Sequence, residues 1–253
     1  MIEFEVEGRI AIIRLDRVEA RNAINSEMSA AIEAAVDRLE DDHDLWVGIL
    51  THNGPVFCAG ADLKAIAAGQ GGKLGTERGG LGGLVRRQRS KPLIAAIDGH
   101  AVAGGLELAL ACDLRVASTS SLLGIPEVKR SLVASAGGLA RLPHIVAPTI
   151  AMEMALTGDT ITAERAHHFG MINELCEPGT VVDAAKALAE RIIANAPLAV
   201  RESRRLILEA AAQTPLEGMK AAGEAQARLA ATDDFAEGPR AFIEKRAPVW
   251  KGR

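Results

Sequence analysis

Two glutamates, Glu107 and Glu127, have the residue type and the setting for proton-transfer chemistry. Glu107 falls in the first turn of a predicted helix, Leu106 to Cys112, that is apolar on nearly every side and therefore reads as buried. A carboxylate in such a place is strongly destabilising unless it is paired or its pKa is raised. Glu127 follows twenty residues later, directly after Pro126. The Gly104-Gly105 pair opens the helix and leaves its first N–H groups without intrahelical acceptors. Amide donors beside two carboxyl groups suit a reaction in which a proton moves while negative charge grows on an oxygen. Each glutamate also has a plainer reading. An acid in the first turn suits the helix dipole, and a glutamate after proline is an ordinary helix start.

The elements around this stretch follow from pattern. Residues 2–6 and 10–15 alternate about Glu7-Gly8 and predict a hairpin. Asn25 or Ser26 caps a helix whose apolar face is Met28, Ile32, Ala35, Val36 and Leu39. A strand is predicted over Leu45 to Thr51, then a turn at His52-Asn53-Gly54-Pro55. In VFCAGADLK, residues 56–64, small side chains allow close backbone approach to a ligand, and Asp62 can cap the helix that follows. The glycine-rich stretch 69–83 reads as a flexible flap over a site or as a surface loop. It is no phosphate-binding P-loop, because Gly72-Lys73 is followed by Leu74 and the leading glycine is absent. Leu93 to Ile97 is a short apolar strand, and Ser135 to Gly138 opens another helix. Helices at 148–157 and 162–169 and a strand at 171–175 come next; from about residue 180 the pattern is helical only. An α/β core, residues 1–195, with a helical C-terminal region, residues 196–253, is the organisation expected.

Several functions are disfavoured. The 253 residues are 48% hydrophobic and 25% charged, with a formal charge of −4 and no basic block, so nucleic acid is not an expected partner. No run approaches a membrane span and the N-terminus lacks a signal-peptide pattern. Cys58, Cys112 and Cys176 are odd in number and far apart, which fits a reducing cytoplasm rather than a disulfide framework or a metal site. His167-His168 lacks metal-ligand spacing, and Ser135 lacks the G-x-S-x-G elbow of a hydrolase nucleophile.

Six landmarks, taken together in order and spacing, resemble the crotonase, or enoyl-CoA hydratase/isomerase, superfamily. They are FCAGADL at 57–63, IDGHAVAGGLELALACDLRVAS at 97–118, GIPEVK at 124–129, AGGLARLP at 136–143, AMEMALTGD at 151–159 and TDDFAEGPRAFIEKR at 232–246. The resemblance implies a spiral of ββα units with a C-terminal helical trimerisation region, assembled as a trimer or dimer of trimers. It implies an acyl-CoA thioester substrate, coenzyme A being part of that substrate and no separate cofactor being needed. Two backbone N–H groups, at Ala61 and Gly104, would hold the thioester oxygen, and Glu107 and Glu127 would handle the reacting water. Lys64 would lie near the CoA phosphates or adenine, and Ala20 and Arg21 would contact CoA through their backbone. Phe242 and Lys245, sharing a helical face by their i, i+3 spacing, would reach a neighbouring subunit's CoA.

Hydration of a 2-enoyl-CoA is the leading expectation, with Glu107 as base and Glu127 as proton donor; the reverse assignment stays open, because coupled carboxyls share protons. A carnitinyl-CoA dehydratase is the near alternative, suggested by the tail EGPRAFIEKRAPVWKGR and by GLARLPHIVAP. Two departures from the family pattern stand out: Ala103 where many members have a glycine, and Ser131-Leu132-Val133-Ala134-Ser135 where hydratases often read Gly-x-x-Pro-Gly. The second motivates a further alternative, a CoA-binding scaffold with weak catalysis.

Overall fold

The structure is a computed structural model describing residues Met1–Arg253. In chain order its elements are β1 (Ile2–Glu7), β2 (Ile10–Leu15), α1 (Ser26–Asp41), β3 (Val47–His52), β4 (Val56–Cys58), α2 (Leu63–Ala65), β5 (Gly75–Thr76), β6 (Gly80–Leu81), β7 (Leu93–Ile97), β8 (His100–Val102), α3 (Gly104–Ala111), β9 (Leu114–Ser118) and β10 (Leu122–Gly124). They continue with a 3₁₀ turn, Pro126–Arg130, then α4 (Gly138–Ile145), α5 (Pro148–Thr157), β11 (Ile161–Thr162), α6 (Ala163–His168), β12 (Glu174–Cys176), α7 (Val181–Ile193), α8 (Pro197–Ala210), α9 (Pro215–Leu229) and α10 (Asp233–Glu244).

Apart from the β5–β6 hairpin, the strands belong to two sheets. The larger runs β1-β2-β3-β7-β9-β12 and is parallel apart from the β1–β2 hairpin. The smaller runs β11-β10-β8-β4, with β4, β8 and β10 parallel. Thus β3, β7 and β9 each enter the large sheet and hand the chain on to β4, β8 and β10 of the small one, and a helical segment returns it. That is a spiral of ββα turns, as the resemblance implied.

Two apolar layers hold the spiral. Ala11, Ile13 and Leu15 of β2 pack inward with Met28, Ile32, Val36 and Leu39 of α1, while Ile10 and Ile12 point to the opposite face against Val181, Ala185 and Leu188 of α7. A sheet covered on both faces needs strands apolar at every position, which explains why β7 is buried throughout. Asn25 Oδ1 accepts the Met28 N–H at 2.8 Å and caps α1, and all five residues expected on its apolar face are buried.

The structure departs from the sequence expectations in two places. Residues 171–173 are not strand: Met171 and Ile172 fill the core, but the Met171 N–H closes α6 by donating to Ala166 O at 2.8 Å. Of the stretch 69–83, residues 74–82 are pinned rather than loose, while residues 69–73 stay exposed. Ser29 Oγ donates to Leu74 O at 2.5 Å and accepts the Gly82 N–H at 2.9 Å, which ties the β5–β6 hairpin to α1.

Candidate active site

Helix α3 carries Glu107 into the core. Leu106 and Leu108 beside it are fully buried, each contributing about 1.5–3 kcal/mol. Glu107 itself is only 3% exposed. Its Oε1 accepts the Gly138 N–H, at the start of α4, at 2.9 Å. Burial pushes the Glu107 carboxyl above the usual range, while the Gly138 and Ala136 N–H groups and the Arg141 guanidinium pull it back. Glu127 enters from the 3₁₀ turn and its surroundings are poorer. Burial pushes its carboxyl up, the charge of Glu107 adds to that, and its Oε2 is buried with no donor.

Two backbone segments bring free amide donors to the same place. Gly104 is the first residue of α3, so its N–H has no intrahelical acceptor. The Ala61 N–H donates to no backbone oxygen. A methyl group built on Gly104 would lie 3.3 Å from Ala61 N, so the two segments are neighbours and a side chain at 104 would crowd the gap. Directly before Gly104, Ala103 sits at φ 54°, ψ −132°, a conformation that L-residues rarely adopt and that stores about 1–3 kcal/mol. Its strain accompanies the turn that aims the α3 N-terminus.

These groups line one cavity of about 1600 Å³. Ala61, Gly104, Glu107, Glu127 and Arg21 all border it, with Ser135, Arg141 and the pinned residues Leu74, Gly75, Gly80 and Leu81. Other expected residues lie elsewhere. Ala20 and Lys64 do not border the cavity; the Lys64 side chain is exposed, and its N–H donates to Asp62 Oδ1 at 2.9 Å. Phe242 is 85% exposed, and neither it nor Lys245 borders the cavity of its own chain. The shared helical face expected for that pair does not form. Helix α10 ends at Glu244 and Lys245 turns left-handed at φ 55°, because the Arg246 N–H reaches back to Ala241 O at 3.1 Å and terminates the helix.

Sequence reasoning passed over the residues that place the Ala61 amide. The segment 21–24 is stitched to 59–62: Ala59 N–H donates to Arg21 O at 3.1 Å, Ile24 N–H to Gly60 O at 2.8 Å and Asp62 N–H to Ile24 O at 2.9 Å. Asn22, 1% exposed and left-handed, anchors that segment by donating to Asn53 O and Val56 O at 3.0 and 2.8 Å. An asparagine inside ARNAIN, a residue tolerant of the left-handed region, was the available signal. Arg141, which borders the cavity beside Glu107, was passed over as well.

The family profile described as enoyl-CoA hydratase/isomerase matches residues 5–253. The chain belongs to that family. It is 37% identical over 254 residues to an (E)-benzylidenesuccinyl-CoA hydratase of Thauera aromatica, covering 99% of each protein. It is 38% identical over 253 residues to a carnitinyl-CoA dehydratase of Salmonella typhi, covering 97% of this chain and 96% of that one. The crystal structure of an enoyl-CoA hydratase from Mycobacterium tuberculosis H37Rv superposes with a TM-score of 0.96 at 48% identity, covering 100% of this chain and 99% of the other. The ββα spiral is therefore the crotonase fold, and the family members it aligns with end to end carry the names of hydro-lyases. No helix is long and apolar enough to cross a membrane.

Proposed function

We propose that this chain is an enoyl-CoA hydratase, adding water reversibly across the C2=C3 bond of a 2-enoyl-CoA thioester. The supporting observation is the pairing of two acceptor-free amides, Ala61 and Gly104, with one buried and one half-buried carboxyl, Glu107 and Glu127, on the same cavity. The thioester oxygen is held between the two N–H groups, each worth about 10²–10³ in rate by analogy with other oxyanion sites. Glu107, the better solvated by hydrogen bonds, takes a proton from water as the water oxygen bonds to C3. The π electrons shift toward C2 and the thioester oxygen, and Glu127 delivers its proton to C2. The substrate gains one H and one OH, and a proton returning from Glu107 to Glu127 resets the pair. Coenzyme A enters only as part of the substrate.

Turnover of crotonyl-CoA tests the proposal. Glu107→Gln and Glu127→Gln each lower kcat by about 10²–10⁴ while the fold persists. Unchanged turnover in both variants overturns it, and tight thioester binding without conversion of any enoyl-CoA returns the chain to a scaffold role.

The 38% identity to a carnitinyl-CoA dehydratase supports a second reading, hydration of crotonobetainyl-CoA. The cavity argues against it as the preferred substrate. No phenylalanine, tyrosine or tryptophan lines it, and arginines outnumber carboxylates along it. A trimethylammonium group is best held by aromatic faces and is repelled by guanidinium. Crotonyl-CoA is accordingly the faster of the two when both are assayed side by side.

The proposed assembly is a trimer or a dimer of trimers. Its support is the exposure of Ile207, Leu216, Met219, Phe242 and Ile243 on the C-terminal helices and their flanks, an apolar surface of the kind subunit contacts cover. Sedimentation gives the stoichiometry directly, and a monomer at working concentration removes this part of the proposal.

A further inference from the structure

Arg141 projects from α4 with an environment unusual for a half-buried guanidinium. It forms no ion pair with any carboxylate; its Nη1 donates to Ala136 O at 3.4 Å and its Nη2 to Val85 O. It folds back with Nη1 against the turn that opens its own helix: a methyl group built on Gly137 would fall 1.9 Å from Nη1, so that residue has to be glycine for the side chain to fold back. The turn so clamped, residues 136–138, is the one whose Gly138 N–H binds Glu107 Oε1. One side chain thus ties the Glu107-binding turn to residue 85, and its positive charge acts on the acid through space without touching it.

We propose that Arg141 is a positioning residue: by clamping the 136–138 turn and placing its charge next to Glu107, it keeps Glu107 as the ionised member of the carboxyl pair and leaves Glu127 to carry the proton. This deepens the hydratase reading and rests on it for the roles of the two acids. The asymmetry has independent support at Glu127, whose buried Oε2 meets no donor and so suits a protonated group. The charged groups bearing on Glu107 are Arg141 from α4 and, across the cavity, Glu127 from the 3₁₀ turn; Arg89 and Cys112 bear on Arg141 in turn. Arg141 is the only cation whose charge acts on Glu107.

The test is a ¹³C NMR titration of the glutamate carboxyls in the ligand-free protein, which needs no turnover. In Arg141→Gln, Glu107 titrates about one pH unit higher than in the native chain, the size of effect a nearby opposite charge exerts. In Arg141→Lys, which keeps the charge but loses the two-pronged clamp, the titration stays close to native while kcat falls. On kcat/KM, the acidic limb moves to higher pH in Arg141→Gln only. A folded Arg141→Gln whose Glu107 titrates as in the native chain overturns the proposal. If Arg141→Gln does not fold, Arg141→Lys decides alone: a Glu107 titration displaced as far as one unit shows that the charge is not what holds it. Should the chain convert no enoyl-CoA at all, the titrations still report on Arg141, so the two failures are separable.

Discussion

Arg17 donates through Nη1 to Asp62 Oδ2 at 2.8 Å, joining the segment after β2 to the loop that presents the Ala61 amide. The same nitrogen donates to Ala23 O at 2.9 Å, and Asp62 Oδ1 accepts the Lys64 and Ala65 N–H groups at 2.9 and 3.4 Å. The Arg17 guanidinium lowers the Asp62 carboxyl below its ordinary range, and the two amides add to this against the opposing effect of burial. One carboxylate thereby fixes both sides of a backbone donor forty-odd residues from the helix it faces.

Asp62→Ala removes that link. The expected loss is about 1–3 kcal/mol of stability, because a charge-assisted hydrogen bond and a helix cap disappear together. A fall in kcat accompanies it, since the Ala61 N–H is no longer held in place. Asp62→Asn, which can still cap α2, loses less of both. Denaturant unfolding with parallel kinetics checks the order; equal stability of Asp62→Ala and the native chain contradicts it.

Ala103→Gly relieves backbone strain. Glycine adopts φ 54°, ψ −132° freely, releasing about 1–3 kcal/mol against about 0.4–1 kcal/mol of added unfolded-chain entropy. The net expectation is a stabilisation of about 1 kcal/mol, or about 2–4 °C in Tm for a chain of this size. A lower Tm for Ala103→Gly shows that the residue is not strained.

Glu127→Gln stabilises the fold at neutral and alkaline pH. Burial and Glu107 raise the Glu127 carboxyl above its ordinary value of 4.5, so between the unfolded and folded pKa the native state holds more protons than the unfolded one. Its contribution to stability is complete below the unfolded pKa and is lost as pH rises through the folded one. The Tm difference between Glu127→Gln and the native chain therefore grows from near zero below about pH 4 and levels off once pH has passed the folded pKa. A difference independent of pH rules out this origin.

Arg204→Ala loosens the C-terminal helices from the core. Arg204 Nε donates to Asp113 Oδ1 at 2.9 Å, and Asp113 Oδ2 accepts Arg89 Nη1 and the Leu93 N–H at 2.6 and 2.8 Å, so α8 is docked where α3 ends and β7 begins. Burial alone raises the Asp113 carboxyl, but the two arginines outweigh it and hold it below the ordinary range. A lowered carboxyl stabilises the fold above its unfolded pKa and loses that contribution as pH falls through the folded one. The loss in Arg204→Ala is about 1.5–3 kcal/mol at pH 7 and smaller in acid, read from urea unfolding at both pH values. Equal losses at the two pH values contradict the ion-pair origin.

The elements were legible because they rest on local rules. The alternation of β1 and β2, the Asn25 cap, the apolar face of α1 and the continuous burial of β7 follow from side-chain period and backbone donors within a few residues of each other. Glu107 stood out for the same reason, as a charge in an otherwise apolar helix. Residues 74–82 were misread because they are held by Ser29, a partner the local pattern does not contain, and residues 171–173 because the Met171 N–H closes the preceding helix on Ala166 instead of joining a sheet. So too with the i, i+3 spacing of Phe242 and Lys245, which holds only while the helix continues.

The sequence by itself determined the opening hairpin, the capped helix α1 and the buried strand β7, and it marked one buried acid at the mouth of a glycine-opened helix. Only the tertiary structure decided that segment 21–24 aims the Ala61 amide and that the Glu127 Oε2 is buried without a donor. It alone brought Arg141 across to the turn that binds Glu107. Those relationships join residues from separate turns of the spiral, and a charge or a hydrogen bond acts over a few ångströms of space whatever the distance along the chain.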